Sequence, residues 1–420
     1  MRLLWRLVAS NRDYRRTVLA ALVSLCGDWA LRVGLAYHVY VLTGSTVASG
    51  LLLASSLVPQ LVLGSIAGVF VDRWDRRRTM VAVNLALAAG LLPLLAVRSA
   101  GDVWIIYAVA FAEGMLAQFF VPAEAAIVPL LVTPDTLITA NAVNSQARDA
   151  SRLVGSAAGG ILAGSAGLVG LVCLDIATYL LAAALLAGIG WRPAGARGAE
   201  TGEAARPAGS VVVAVAREWR EGMALAARSA VLRVLLLFTA VTSLGEGVVG
   251  ALFAPFVRTT LHGSAGAYGV IVAAQAAGGI AGGLVAATIA HRFRIGPLFV
   301  AAAVSFGVLD AALFCYPLLS RTVWPGVVLM LLVGLPGALI VAALMSLFQS
   351  AVADRHRGRI FGTVGAIEGA GMLVGAVCAG GLASRFGIVP VISFQAVAYI
   401  SAGLAVRRPL RRATELAIPV

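Results

Sequence analysis

The sequence predicts an all-α integral membrane protein: twelve transmembrane helices in two parallel six-helix halves. Three observations predict it. First, 60% of the 420 residues are apolar, only 12% are charged, and the mean hydropathy is +0.95. Soluble chains sit near about 45–50% apolar and about 25% charged, so the polar surface here cannot cover a soluble particle. Disorder fails on the same count, because disordered chains are poor in apolar residues. Second, apolar runs of ~20 residues, the length that crosses a ~30 Å hydrocarbon core, recur along the chain. Third, the chain repeats itself at an offset near 220 residues.

The opening, Met1 to Arg16, is polar and basic with no small-residue cleavage site. It is expected to stay as a cytoplasmic tail, unlike a signal peptide. Six apolar stretches follow at 17–41, 46–71, 79–98, 102–123, 139–163 and 167–190. A polar segment, 191–233, carries Pro193, Pro207 and several Gly, as a linker would. Six more stretches lie at 234–257, 267–290, 296–317, 324–348, 359–383 and 388–406. Unpaired strands are excluded from lipid, and no alternating pattern suggests a barrel. The abundant Gly and Ala let helices approach closely in lipid. The predicted division is 1–190, an N-terminal half; 191–233, a cytoplasmic linker; and 234–420, a C-terminal half.

Arginine placement tests the count of spans. With twelve spans, both termini and the even-numbered loops share a side. That side carries 27 Arg, the other carries Arg98, Arg258, Arg321 and Arg385, and Arg32 alone lies within a span. Such a bias obeys the positive-inside rule and predicts both ends in the cytoplasm. The net charge of +13 then reflects topology and anionic headgroups, and nucleic acid is not needed as a partner.

The repeat is legible residue by residue. LVGSAAGGILAGSAG at 153–167 and LVGAVCAGGLASRFG at 373–387 share seven of fifteen positions. At an offset of 219, Leu42, Gly44, Ser45, Ala48 and Gly50 meet Leu261, Gly263, Ser264, Ala267 and Gly269. Six spans separate the copies, so both halves point the same way across the membrane. Parallel six-span halves are an architecture of secondary transporters.

Counting also excludes chemistry. The chain has no Lys, so it lacks a P-loop lysine. Its four Cys and four His show no metal or redox spacing. No cofactor and no metal are expected. An acyltransferase-like membrane enzyme would need a Ser/His or His/Asp cluster at an interface, and none is apparent.

The loop between the second and third stretches reads Gly68-Val-Phe-Val-Asp72-Arg73-Trp74-Asp75-Arg76-Arg77-Arg78. Its acid and arginines can tie helix ends together by charge-assisted hydrogen bonds, and Asp72 can meet the positive end of a helix. The pattern resembles the cytoplasmic signature of the major facilitator superfamily. The resemblance implies a gate formed by Gly68, Asp72, Arg73, Arg76 and Arg77, joined by Asp149 and Arg152 at the inner end of the fifth span. Cys26-Gly27-Asp28-Trp29, Leu42-Thr43-Gly44-Ser45 and Pro122-Ala123 are similar to the macrolide-efflux and enterobactin-exporter branch. Two departures stand out. Drug/proton antiporters often carry Arg in span 4 a few residues before a Gly, whereas the position four before Gly114 here is Ala110, and Gly155 is followed by Ser156, not Pro.

Charges inside spans are costly and by default mark a pathway. Asp28 and Arg32 are four apart on one helical face, so the spacing predicts an ion pair. Asp28 can exchange a proton when that partner moves away, because an unpaired buried charge is unfavourable. A static pair that only fixes the bundle is the alternative. Glu113, Glu246 and Glu368 are the other proton-coupling candidates. Asp175 and Asp310 fall nearer the outer ends of their spans and are expected to reach interfacial water. Candidate substrate contacts are Tyr37, Gln60, Asn84, Phe111, Gln275, Phe306 and Gln349, aromatic and amide side chains suited to an amphipathic ligand.

The reading implied is a monomeric secondary transporter in the cell membrane that exchanges a small-molecule substrate for protons as coupling ion. Export of a drug or natural product is the leading expectation. Siderophore export or lysolipid movement by the same fold is the runner-up, and a transport-inactive receptor is a rival of another class.

Overall fold

The computed structural model describes residues 10–71, 74–190, 220, 223–224, 229–289, 293–352 and 356–416, with backbone alone at 64–70, 138, 289 and 411–416. Among the described residues there is no strand. The first six long helices are α1 Arg12–Thr43, α2 Thr46–Val71, α3 Arg76–Gly90, α4 Val103–Leu131, α5 Leu137–Ser165 and α6 Gly167–Ala187. The second six are α7 Ala230–Pro255, α8 Ala265–Ile289, α9 Ile295–Cys315, α10 Val323–Ala351, α11 Arg357–Phe386 and α12 Phe394–Leu416.

Local chemistry sets the ends. The Asn11 side chain accepts from the Tyr14 N–H to start α1, and Gly44, at φ 62°, returns its N–H to the Tyr40 carbonyl to end it. The Asp75 carboxylate caps α3 by accepting from Arg78 N–H at 2.7 Å. Ser229 caps α7 in the same way, so α7 begins at Ala230, not at the expected 234. The expected linker lies mostly outside the described residues. α4 runs on through Pro122 and Pro129 to Leu131, past the expected end at 123.

Eleven segments among the described residues are long and apolar enough to cross a membrane. The expected count of twelve is therefore not exact. The odd one out is α5, in which every 18-residue stretch contains Arg148, Asp149 and Arg152. Leu237, Leu284 and Val397 are each more than 60% exposed on the surface of the bundle, an arrangement suited to lipid.

The two sextets pack alike. In the first half α1 packs on α5 and α6, α4 on α2 and α3, and α3 on α6. In the second half α7 packs on α11 and α12, α10 on α8 and α9, and α9 on α12. The halves meet along two seams, α2 against α11 and α5 against α8, which are equivalent in the repeat. Each seam has a glycine crossing. A Cβ on Gly269 would lie 2.6 Å from the Gly160 Cα, and one on Gly380 would lie 2.6 Å from the Val47 Cα.

The bundle is tight at the end away from the termini. There Thr46 Oγ1 donates to the Gly380 carbonyl at 2.9 Å and Tyr37 Oη to the Gly263 carbonyl at 3.0 Å. An apolar cluster including Phe253, Phe256, Tyr268 and Phe314 joins the second half to Val33 of α1 at the same end. Toward the termini, a Cβ on Gly358, Gly362 or Gly365 of α11 would meet nothing within 4 Å among the described residues.

Candidate functional site

Between the halves lies a cavity of about 670 Å³. Asp28, Arg32, Glu113 and Glu246 line it, as do Gln60, Asn84, Gln275 and Phe306. The remaining candidates lie elsewhere. Tyr37 lines a separate small pocket on α1 and spends its hydroxyl on Gly263. Phe111 is 40% exposed on the outside of α4. Gln349 and Glu368 are exposed and outside the cavity wall.

Asp28 and Arg32 do not form the expected ion pair. Tyr179 of α6 donates its hydroxyl to Asp28 Oδ1 at 2.5 Å, while the Arg32 guanidinium lies 5.1 Å from the centroid of the Trp29 ring. A four-residue spacing permits a salt bridge, but here a neighbouring aromatic face takes the cation. The second half repeats the acid–hydroxyl pair. Tyr399 of α12 donates to Glu246 Oε1 at 2.7 Å, and Gln395 Nε2 donates to the same oxygen at 3.0 Å.

The gate residues divide. Asp72 and Arg73 lie outside the described residues, and Gly68 is described only as backbone of α2. Arg77 donates to the Ile189 carbonyl at 2.7 Å, fixing the start of α3 to the end of α6. Arg76 Nε is buried with no hydrogen-bond acceptor among the described residues. Asp149 is partly buried outside the cavity wall. Arg152 faces the cavity: it donates to Gln275 Oε1 of α8, and its guanidinium, like that of Arg32, lies 5.1 Å from the Trp29 centroid.

Two acids expected to reach interfacial water are instead buried, Asp175 at 0% and Asp310 at 3% exposure. Asp310 lines the cavity. Sequence reasoning missed Glu124, which is 3% exposed and pairs with Arg148 of α5 at 2.5 Å. It fell one residue beyond the span end set at 123. It also missed Tyr179 and Tyr399, which the 220-residue offset alone would have matched. Among the described residues, no group of His, Cys, Asp and Glu could hold a metal ion.

The family model described as "Transmembrane secretion effector" matches residues 9–418. The chain belongs to this family of major facilitator transporters. Macrolide efflux protein A of Streptococcus pyogenes is 24% identical over 368 residues, covering 87% of this chain and 88% of that protein. An uncharacterized MFS-type transporter of Mycobacterium tuberculosis is 27% identical over 418 residues, covering 96% and 92%. Among solved structures, the nucleoside transporter NupG superposes with a TM-score of 0.76 at 10% identity, covering 95% of this chain and 99% of that one. A bacterial homologue of the iron transporter ferroportin, in an inward-facing state, gives 0.72 at 12% identity, covering 96% and 98%. At such identities these structures speak to the fold. This family member is thus a multi-pass membrane transporter and not an enzyme.

Proposed function

We propose that this transporter exports an amphipathic small molecule in exchange for protons. Residues 1–190 and 234–420 rock about the cavity as two bodies, joined by 191–233, with both termini in the cytoplasm. On that orientation the glycine crossings close the outward side, and the cavity loads from the cytoplasm. The Arg bias of 27 to 4 supports the orientation. The similarity to macrolide efflux protein A supports export.

The observation that carries the reading is the repeated acid–hydroxyl pair on the cavity, Asp28 with Tyr179 and Glu246 with Tyr399. A carboxyl held by a neutral donor, with no cation bonded to it, can keep or lose its proton as the walls move. A salt-bridged carboxylate would be locked in its charged form. Alternating access then couples the proton to the substrate, since each binds one conformation better than the other.

The test is flux in proteoliposomes of the full chain, with ethidium as the amphipathic probe and an imposed pH gradient. Uptake into inside-out vesicles should rise with the gradient. Asp28→Asn should lower gradient-driven flux by at least about tenfold, the size of one lost 1.4 kcal/mol coupling. Flux indifferent to the gradient, or normal in Asp28→Asn, rejects proton coupling through this residue.

A further inference from the structure

The cavity walls carry charge unequally. All three cavity arginines, Arg32, Arg148 and Arg152, come from the first half. The second half contributes two carboxyls, Glu246 and Asp310, and no basic side chain. Arg152 reaches that wall at Gln275. Glu246 is already served by Tyr399 and Gln395. Asp310 is not: it is 3% exposed, and its Oδ2 has no hydrogen-bond partner among the described residues.

A buried carboxyl without a partner is expensive, and its surroundings show what would complete it. Phe306, Asp310 and Phe314 follow at intervals of four along α9, hence on one face. All three line the cavity, together with Phe253 and Tyr268 from α7 and α8. These rings are held in place by their neighbours. Phe306 lies against Tyr399 at 4.3 Å, Phe314 meets Phe256 edge-on at 5.7 Å, and Phe253 meets Tyr268 at 5.8 Å. An acid set among aromatic faces is the environment that takes an organic cation: the carboxylate supplies the counter-charge and the rings supply cation–π attraction. A neutral ligand could offer the Asp310 oxygen a hydrogen bond but no counter-charge, and an anionic ligand would add a like charge beside it.

We propose that Asp310, flanked by Phe306 and Phe314, is a subsite for the protonated amine of a cationic amphiphile. The apolar remainder of that ligand lies toward Leu313 and Met330. This assignment rests on the export reading above for its substrate and narrows it to amines.

Two drugs built on the dibenzazepine tricycle test it on the purified full chain. Imipramine carries a protonated tertiary amine, and carbamazepine carries an uncharged carboxamide. Equilibrium binding of tritiated forms should show wild-type binding of both, with imipramine tighter. Asp310→Asn should weaken imipramine at least tenfold and leave carbamazepine within twofold. Asp310→Glu should recover most of the loss, and Phe314→Leu should cost about threefold for imipramine only. Asp310→Asn should also melt no lower than wild type without ligand, since it removes an unsatisfied acid, whereas a purely structural Asp310 would lower the melting temperature. Unchanged imipramine binding in Asp310→Asn, or equal loss of both drugs, overturns the subsite. Wild type binding carbamazepine but not imipramine overturns the subsite and spares the export reading. Binding of neither drug defeats the amphipathic-substrate reading together with the subsite.

Discussion

The two halves of the bundle share a scaffold and differ in their cations. At offsets of 218 to 220 residues, Asp28 meets Glu246, Tyr179 meets Tyr399, and Gly50 and Gly160 meet Gly269 and Gly380. The same offsets set Arg32 against Gly250, Arg152 against Met372, Arg148 against Glu368 and Glu124 against Leu344. What the halves have in common lies where backbones cross and where a buried carboxyl needs a donor. What they do not share is every cavity arginine. The scaffold is thus symmetric, and the electrostatics that meet a ligand are not.

The seams offer the strongest way to break this comparison. If the two crossings are equivalent, a side chain at either should do the same harm. In Gly160→Val the new atoms would run into the Ala265 carbonyl and Gly269, and in Gly380→Val into Val47 and the Thr46 carbonyl. Overpacking of this kind costs about 1–3 kcal/mol. The cost falls only on the state in which the crossings touch, so it shifts the two-state balance by roughly five- to 150-fold. A Ser49→Cys reporter on the cavity wall of a cysteine-free background should then react faster with an impermeant maleimide added at the end away from the termini. Both valine variants should also lose most transport. Acceleration in one variant alone means the seams are not equivalent.

The acid–hydroxyl pairs sharpen the comparison at a smaller scale. Each tyrosine donates to a carboxyl in the interior, but the carboxyls are not equally provided for. Glu246 keeps Gln395 when Tyr399 is lost, whereas Asp28 has no second side-chain donor among the described residues. Leaving a buried polar group unsatisfied costs about 1–3 kcal/mol, and trimming one bond of several costs about 0.5–1.5 kcal/mol. Tyr179→Phe should therefore lower the melting temperature of the purified protein by more than Tyr399→Phe does. Equal losses would mean that Gln395 contributes nothing to Glu246.

Most of the architecture was legible in the sequence, because lipid leaves a chain few options and the repeat fixes the parallel halves. The cavity was legible only in part, and particular residues show why. Asp28, Glu113 and Glu246 stood out since a charge in an apolar run is conspicuous. Tyr37, Phe111 and Gln349 were misplaced because a span that is apolar all round has no polar face to mark the inward direction. Glu124 was lost because the apolar stretch was ended at 123, while the helix runs on through Pro122 and Pro129, as it can where neighbouring helices satisfy the freed backbone groups. Arg152 was assigned to the gate by its place at the inner end of the fifth span. Its guanidinium instead reaches across the α5–α8 seam to Gln275, a contact between segments 123 residues apart.

The smallest expected effect isolates the asymmetry itself. Trp29 has Arg32 and Arg152 within 5.1 Å of its ring centroid, and its repeat equivalent is Gly247, which has no ring to offer. The indole thus holds two like charges at the wall of one half, and Arg152 is also bonded to the other half. Each cation–π contact is worth about 0.5–2 kcal/mol depending on its desolvation. Repulsion between the guanidiniums takes back part of that, so Trp29→Leu should cost less than the sum of the two. A drop of a few degrees in melting temperature is expected, largely recovered in Trp29→Phe, which keeps an aromatic face. Arg32→Leu in the Trp29→Leu background should then cost nothing more, because the contact it would remove is already gone. If Trp29→Leu melts like wild type, the ring is a spacer for the arginines and not their anchor.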